Sequence, residues 1–245
     1  MFSTLISTFI FKDYWRKVYL DHKNKIVILL YIMPTLLLSC IVNILIKKPI
    51  YNKLYALFDI KKEAIFWPLW FLPIVLIVGS FAEEFIKVVP ILLNKTLLRQ
   101  KIDIYFSALL AGFGFGIGEI WYLAYRLSKT QPQYASGFTN LILLWGFGGE
   151  RILAVLLHII LTGIVGYGFV LNQPLKYFFF AVLLHSLVNI PAGLYQMKKI
   201  HVLMCVVLII IIFGLLLSYF VSIDENMKKK KGYTMIDEAI TIYEK

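Results

Sequence analysis

Six long apolar runs determine what this chain can fold into. They lie at about 26–46, 65–93, 102–125, 138–171, 175–195 and 201–221. Each is close to, or longer than, the roughly 20 residues that a helix needs to cross a bilayer. The runs are continuously apolar, which favours helices over the alternating strands of a membrane barrel. The sequence therefore predicts an all-α, polytopic transmembrane helix bundle.

The second and fourth runs are longer than one bilayer crossing requires. Pro68 and Pro73 lie in the second run, and the sequence WGFGG occupies 145–149 in the fourth. Proline and glycine interrupt helices, so either run could begin with an interfacial or re-entrant piece. We therefore expect six to eight spans.

The segments outside the runs suggest three regions. Residues 1–25 carry apolar residues at helical spacing and predict an N-terminal interfacial segment, before a transmembrane domain at 26–221. Residues 222–245 contain a run of lysines and then periodic apolar residues, which predict a basic, amphipathic cytoplasmic tail. The net charge of +11 is concentrated at the flanks of apolar runs, where it suits the lipid bilayer and argues against nucleic acid as a partner.

The sequence FAEEFIK places three ionisable residues inside the second run. A charge at the centre of a membrane helix costs about 2.5–3.5 kcal/mol, so such residues usually mark a functional site. Glu83 and Lys87 are one helical turn apart, and Glu84 is three residues from Lys87. The lysine can neutralise one carboxylate and leave the other to act as a general base. The structural alternative is a salt bridge that joins two helices.

A glycine-rich stretch, GFGFGIGE, occupies 112–119 in the third run. Gly114 and Gly118 have the spacing that lets a neighbouring helix approach closely, and Gly112 and Gly116 repeat it on the next face. Helix packing would explain the glycines but not Glu119, which needs a polar partner inside the membrane.

Two further groups of polar residues lie in the fourth and fifth runs. In the fourth, Arg151 follows Glu150 and precedes His158 by about two turns, which places Arg151 and His158 on one helix face. In the fifth, His185 and Asn189 are four residues apart and project the same way. Side chains of these two types can donate hydrogen bonds to one point, as an oxyanion site requires.

Carboxylates and histidines on four spans fit two kinds of chemistry. One is the activation of water for hydrolysis, directly or through a metal ion, and the other is the translocation of protons or cations. No internal repeat of the kind common in transporters is visible in the sequence. Both chemistries are compatible with the residue types alone.

The motifs and their order along the chain resemble those of a known family. FAEEFIK, GFGIGEIWYL, RILAVLLHIILTGIVGYGF and LLHSLVN, which together span Phe81 to Asn189, resemble the PrsW-type intramembrane proteases and their YhfC-type relatives. These proteins belong to a superfamily that includes the type II CAAX prenyl endopeptidases. The chain departs from the PrsW pattern at Ile120, where those proteins usually have asparagine. Glu150 beside Arg151 is more similar to the YhfC-type relatives.

The resemblance implies roles for the polar residues. Glu83 and His158 would activate water, Glu84 would pair with Lys87, and His185 and Asn189 would bind the oxyanion. Glu119 would orient one of the histidines, and Arg151 would pair with Glu119 or Glu150. Many relatives are described as metalloproteases, so Glu83, His158 and His185 could hold one zinc ion. Metal-free catalysis by glutamate is an equal alternative, since the chain lacks a His-Glu-x-x-His pair.

The function expected from this resemblance is that of an intramembrane endopeptidase. Its partner would be a membrane-anchored or lipid-modified protein or peptide substrate, and it would be an integral, multi-pass protein of a bacterial-type cell membrane. With six spans, lysine and arginine are more numerous on the side that holds both termini, which favours a cytoplasmic location for both termini. The alternative is a non-enzymatic membrane protein, either a peptide-immunity factor or a proton-coupled carrier, that uses the same buried charges.

Overall fold

The computed structural model describes the chain over 25–93, 101–130 and 139–243. Its side chains are described over 31–93, 104–127 and 149–227. Apart from its last residue, the predicted interfacial segment at 1–25 lies outside the described residues.

The described residues are helical almost throughout and contain no strand, which confirms the all-α prediction. The helices are α1 Lys25–Ile41, α2 Lys48–Leu57, α3 Phe71–Leu93, α4 Lys101–Thr130, α5 Thr139–Val170, α6 Pro174–Gln196 and α7 Val202–Tyr243. A π-helical turn, Val42–Lys47, joins α1 to α2 without a break, and a short 3₁₀ turn, Ala64–Phe66, precedes α3.

Within the described ranges, five segments are long and apolar enough to cross a membrane. They are Tyr31–Leu57, Ile104–Leu127, Gly149–Val170, Pro174–Gln196 and Val202–Met227. Helix α3 has 23 residues, also enough for a crossing, but it carries Glu83, Glu84 and Lys87. The chain is therefore a multi-pass helical membrane bundle, as predicted, and the six long helices among the described residues match the lower end of the expected range.

Three boundaries differ from the sequence prediction. Helix α5 continues through 145–149, so it does not restart there; a glycine inside a helix costs only about 1 kcal/mol. Helix α3 begins at Phe71, six residues after the apolar run begins, because the preceding residues form the 3₁₀ turn and a loop. Helix α7 continues past 221 to Tyr243 without a break at the predicted start of the tail.

Helix α4 lies at the centre of the bundle, between α1 and α5. A Cβ atom on Gly114 or Gly118 would lie 2.5 Å from the carbonyl oxygen of Ile32 or 2.2 Å from that of Leu36, both in α1. On the other side, a Cβ atom on Gly112 would lie 2.4 Å from the carbonyl oxygen of His158 in α5. The glycines therefore allow two neighbouring backbones to pack against α4, as their spacing predicts.

Candidate active site

The polar residues singled out in the sequence converge between α3, α4, α5 and α6. Glu83, Glu84, Lys87, His158 and His185 are all buried, with at most 5% of each residue exposed. Their polar atoms form a connected network of ion pairs and hydrogen bonds, which is how buried charges are tolerated.

Glu84 is fully buried and lines neither of the two cavities described below. Its Oε1 atom is 2.5 Å from Nζ of Lys87, one turn further along α3. The same oxygen is 2.7 Å from Nδ1 of His185 in α6. A carboxylate only accepts hydrogen bonds, so the Nδ1–H group of His185 donates to Glu84. The pairing of Glu84 with Lys87 follows the prediction, and the contact with His185 links α3 to α6.

Glu83 has a different cation, Lys47, from the end of the π-helical turn. The Lys47 ammonium group donates to Oε1 of Glu83 and forms an ion pair with it. The other carboxylate oxygen, Oε2, lies 3.6 Å from Nε2 of His185. Among the described residues, this buried Oε2 atom has no hydrogen-bond partner.

Lys47 was not identified from the sequence, and it corrects one expectation. The motif on α3 alone suggests two carboxylates and a single cation, with one negative charge left over. The structure supplies the second cation from another helix, so each glutamate has its own ammonium partner. The available signal was a lysine at the end of the first apolar run, but such lysines usually anchor a helix at the membrane interface.

His158 is held by partners on both sides of its ring. Its Nδ1 atom is 3.1 Å from Nζ of Lys87, and its Nε2 atom is 3.2 Å from Oε2 of Glu119. An ammonium group can only donate, so Nδ1 accepts, and the Nε2–H group donates to Glu119. The ring also packs edge-on against Phe115, with 4.9 Å between the ring centroids. Of the two histidines that Glu119 could orient, it therefore contacts His158.

Arg151 completes the network at its outer edge. Its Nη1 atom lies 3.4 Å from Oε2 of Glu119, and the guanidinium also pairs with Glu150, whose side chain is 59% exposed. Arg151 thus contacts both of its predicted partners. The buried part of the network, as described, balances three carboxylates with three cations: Glu83, Glu84 and Glu119 with Lys47, Lys87 and Arg151.

Two adjoining cavities open onto the network. The smaller, of about 240 Å³, is lined by Glu83, His158, His185 and Asn189, among others. The larger, of about 770 Å³, also reaches Glu83 and Asn189 and extends past Tyr51 and aromatic side chains near the ends of α2 and α4. Asn189 is half-buried and lines both cavities, so its amide is in a position to contact a molecule that reaches Glu83. Its pairing with His185 at an oxyanion stays a prediction.

The donor atoms around the smaller cavity fit a metal ion. Glu83, His158 and His185 each offer one ligand atom, and these atoms lie within 4.8 Å of one another. Two ligands of a tetrahedral zinc ion are roughly 3.4 Å apart, close to the 3.6 Å between Glu83 Oε2 and His185 Nε2. His158 would have to release Glu119 or Lys87 to become the third ligand, because both of its nitrogens are engaged.

Comparison with known proteins gives one match. A family model described as PrsW family intramembrane metalloprotease matches residues 25–216. No curated protein and no solved structure matches the chain. The matched segment contains every residue of the network, including Lys47.

Proposed function

Because this chain belongs to the PrsW family of intramembrane metalloproteases, we propose that it hydrolyses a peptide bond in or near the bilayer, with Glu83 at the reacting centre. The observation that carries this proposal is the buried Oε2 atom of Glu83. It lies 3.6 Å from Nε2 of His185, in a residue that lines a cavity, and has no hydrogen-bond partner among the described residues. The Oε2 atom of Glu84 also has no such partner, but Glu84 lines neither cavity. A buried carboxylate oxygen without a partner is costly, and bound water or a metal ion would satisfy it.

Glu83 is the base in this proposal. A water molecule beside Glu83 and His185 would donate one proton to Oε2 as its oxygen attacks the carbonyl carbon of the substrate. The protonated Glu83 would then return that proton to the amide nitrogen as the C–N bond breaks, which releases one product with a new amino terminus and one with a new carboxyl terminus. Glu84, Lys87 and Glu119 do not take part in proton transfer. They hold the rings of His185 and His158 through the contacts described above, which fixes the orientation of both histidines.

A zinc ion is part of the proposal in its metal-assisted version. Glu83, His158 and His185 would hold it, and it would supply Lewis acidity and lower the proton affinity of a bound water. The matching family is described as a metalloprotease, which supports this version. The hydrogen bonds on both nitrogens of His158 support the metal-free version instead, in which that histidine stays between Lys87 and Glu119.

The two versions assign different roles to His185. In the metal-assisted version its Nε2 atom is a ligand, so Asn189 is the oxyanion donor from α6. In the metal-free version a protonated Nε2 would donate to the oxyanion together with the Asn189 amide. In both versions, the Nδ1–H group of His185 donates a hydrogen bond to Glu84. Metal analysis therefore also decides what His185 does.

The substrate in this proposal is a membrane-anchored or lipid-modified protein or peptide. The larger cavity adjoins the catalytic one and is lined by both polar and aromatic side chains, among them Asn43, Tyr51 and Tyr122. Such a lining suits an unfolded peptide segment better than a hydrocarbon tail. We also propose that both termini lie in the cytoplasm, which the distribution of lysine and arginine favours.

The test is a cleavage assay in liposomes. The wild-type protein and Glu83→Gln are reconstituted with a set of membrane-anchored peptides, and new peptide termini are identified by mass spectrometry. Glu63→Gln, the same change at an exposed position outside both cavities, is the matched control. We expect the wild type and the control to produce new termini and Glu83→Gln to produce none.

Two outcomes would contradict the proposal. Equal cleavage by the wild type and Glu83→Gln would remove Glu83 from the reaction. Ion-dependent transport without any cleavage would favour the carrier alternative. A chelator arm separates the two versions, since only the metal-assisted one loses activity on chelation and regains it on addition of zinc.

A further inference from the structure

Lys47 enters the site from a helix that carries none of the recognised motifs. It is the last residue of the π-helical turn Val42–Lys47, in the continuous helical segment formed by α1 and α2. Single π-helical turns within α-helices are rare and occur frequently at functional sites. Here the turn ends at Lys47, whose ammonium group contacts Glu83.

The local packing of α2 against α3 allows this contact. Gly79 lies one turn before Glu83, and a Cβ atom there would lie 2.3 Å from Oη of Tyr51 and 3.7 Å from Cε of Lys47. The Tyr51 hydroxyl donates to the carbonyl oxygen of Val75 at 3.3 Å. The missing side chain at Gly79 and the hydrogen bond from Tyr51 together keep Lys47 within reach of the carboxylate.

The contact with Lys47 gives the two carboxylate oxygens of Glu83 different environments. Oε1 accepts from Lys47, whereas Oε2 faces His185 and has no hydrogen-bond partner among the described residues. A carboxylate held at one oxygen cannot rotate freely, so the other oxygen stays in one place. Lys87 cannot provide this restraint, because its ammonium group is on Glu84 and His158.

We propose that Lys47 is a positioning residue for Glu83: it holds Oε1 so that Oε2 is presented to the catalytic water or metal ion. This inference rests on the proposed function, since it assigns Glu83 to the reaction. Lys47 also lines both cavities, and its side chain remains 16% exposed, unlike the fully buried Lys87. The pair therefore lies where the larger cavity meets the smaller one.

The experiment compares substitutions at Lys47 with the same substitutions at Lys53. Lys53 is an exposed lysine of α2, the helix that follows Lys47 without a break, and it lies outside both cavities. Lys47→Met, Lys47→Arg, Lys53→Met and Lys53→Arg are reconstituted, and kcat and KM are measured separately on a cleaved peptide. Thermal unfolding in detergent and bound zinc per chain are measured on the same samples.

A positioning role predicts a specific order of rates. Lys47→Met lowers kcat by on the order of 10²-fold with little change in KM, because a misplaced catalytic group loses rate rather than substrate binding. Lys47→Arg keeps the charge and recovers part of the loss, although its planar guanidinium contacts a carboxylate differently. Bound zinc falls in Lys47→Met and is retained in Lys47→Arg. Both Lys53 variants match the wild type.

The results that would overturn the inference are equally specific. A wild-type kcat in folded Lys47→Met would show that Glu83 needs no restraint. If Lys47→Met does not fold, Lys47→Arg decides, because a kcat equal to that of Lys53→Arg would leave Lys47 a purely structural role. Failure of the proposed function would look different, since wild type and both Lys53 variants would then also be inactive.

Discussion

Nζ of Lys87 lies 3.1 Å from Nδ1 of His158, although 71 positions separate the two residues in the chain. The same ammonium group is 2.5 Å from Oε1 of Glu84. One lysine therefore sets both the charge balance beside Glu84 and the orientation of the His158 ring. Because neither the lysine nor Glu84 has any exposed side-chain surface, water cannot replace the contact if it is removed.

Removal of this cation should destabilise the bundle. We expect Lys87→Met to lower the free energy of unfolding by about 3–5 kcal/mol, because it leaves Glu84 as an unpaired buried charge. Thermal unfolding in detergent measures the change, with Lys53→Met as the control for loss of a lysine. The double variant Lys87→Met, Glu84→Gln should recover part of the stability. A fully stable Lys87→Met that has lost activity would instead place Lys87 among the catalytic residues.

The hydrogen bond between Glu119 and His158 gives a prediction about rate. Glu119→Gln should reduce activity by about 10–100-fold, the usual effect of removing the carboxylate that orients a functional histidine. It also removes one of the two carboxylate partners of Arg151. Glu150→Gln is the matched change at the exposed partner of that arginine, and it should cause a smaller loss. Equal effects of the two variants on kcat would show that Glu119 acts only through Arg151.

Metal content separates the roles of the residues on α5 and α6. In the metal-assisted version, purified wild-type protein holds one zinc ion per chain, and His158→Ala and His185→Ala lose it together with activity. Asn189→Ala should keep the metal and lose on the order of 10²–10³-fold in rate, as expected for an oxyanion donor. Elemental analysis alongside the cleavage assay makes the comparison. Fully active wild type without metal would establish the metal-free version.

The close contact between α4 and α5 gives a prediction about packing. A Cβ atom on Gly112 would lie 2.4 Å from the carbonyl oxygen of His158 and 2.8 Å from Cα of Ile159, so Gly112→Ala must push the two helices apart. We expect it to destabilise the fold by about 1–3 kcal/mol and to lower activity through the displaced His158. Gly214→Ala is the control, because no atom lies within 4 Å of a Cβ atom there. Equal melting temperatures for the two variants would contradict the packing described for α4.

Residues that act within one helix could be predicted from the sequence. The pairing of Glu84 with Lys87 follows from their separation of three residues, and the two packing faces of α4 follow from the spacing of its glycines. In both cases the geometry of a single helix decides which side chains share a face. The sequence also placed the histidines and carboxylates in the correct helices.

Contacts between helices could be predicted only in part. The spacing did not show whether Glu119 contacts His158 or His185, because that depends on how α4 rotates against α5 and α6. Lys47 could not be assigned to Glu83, since a lysine at the end of a span usually reaches the lipid head groups. Helix α5 runs through 145–149 without a restart, because local glycine content does not by itself break a helix.

The ion pair between Lys47 and Glu83 has a consequence for biosynthesis. Helix α3 carries three charged side chains, and the insertion of each into hydrocarbon is unfavourable. One of them, Glu83, has its counter-ion, Lys47, on the segment that is synthesised before α3. Only 23 residues separate the end of the π-helical turn from the start of α3, so the two segments can enter the bilayer together as a helical hairpin. Pairing within that hairpin would lower the energetic barrier to integration of its second half, because Glu83 would enter the bilayer together with its counter-ion.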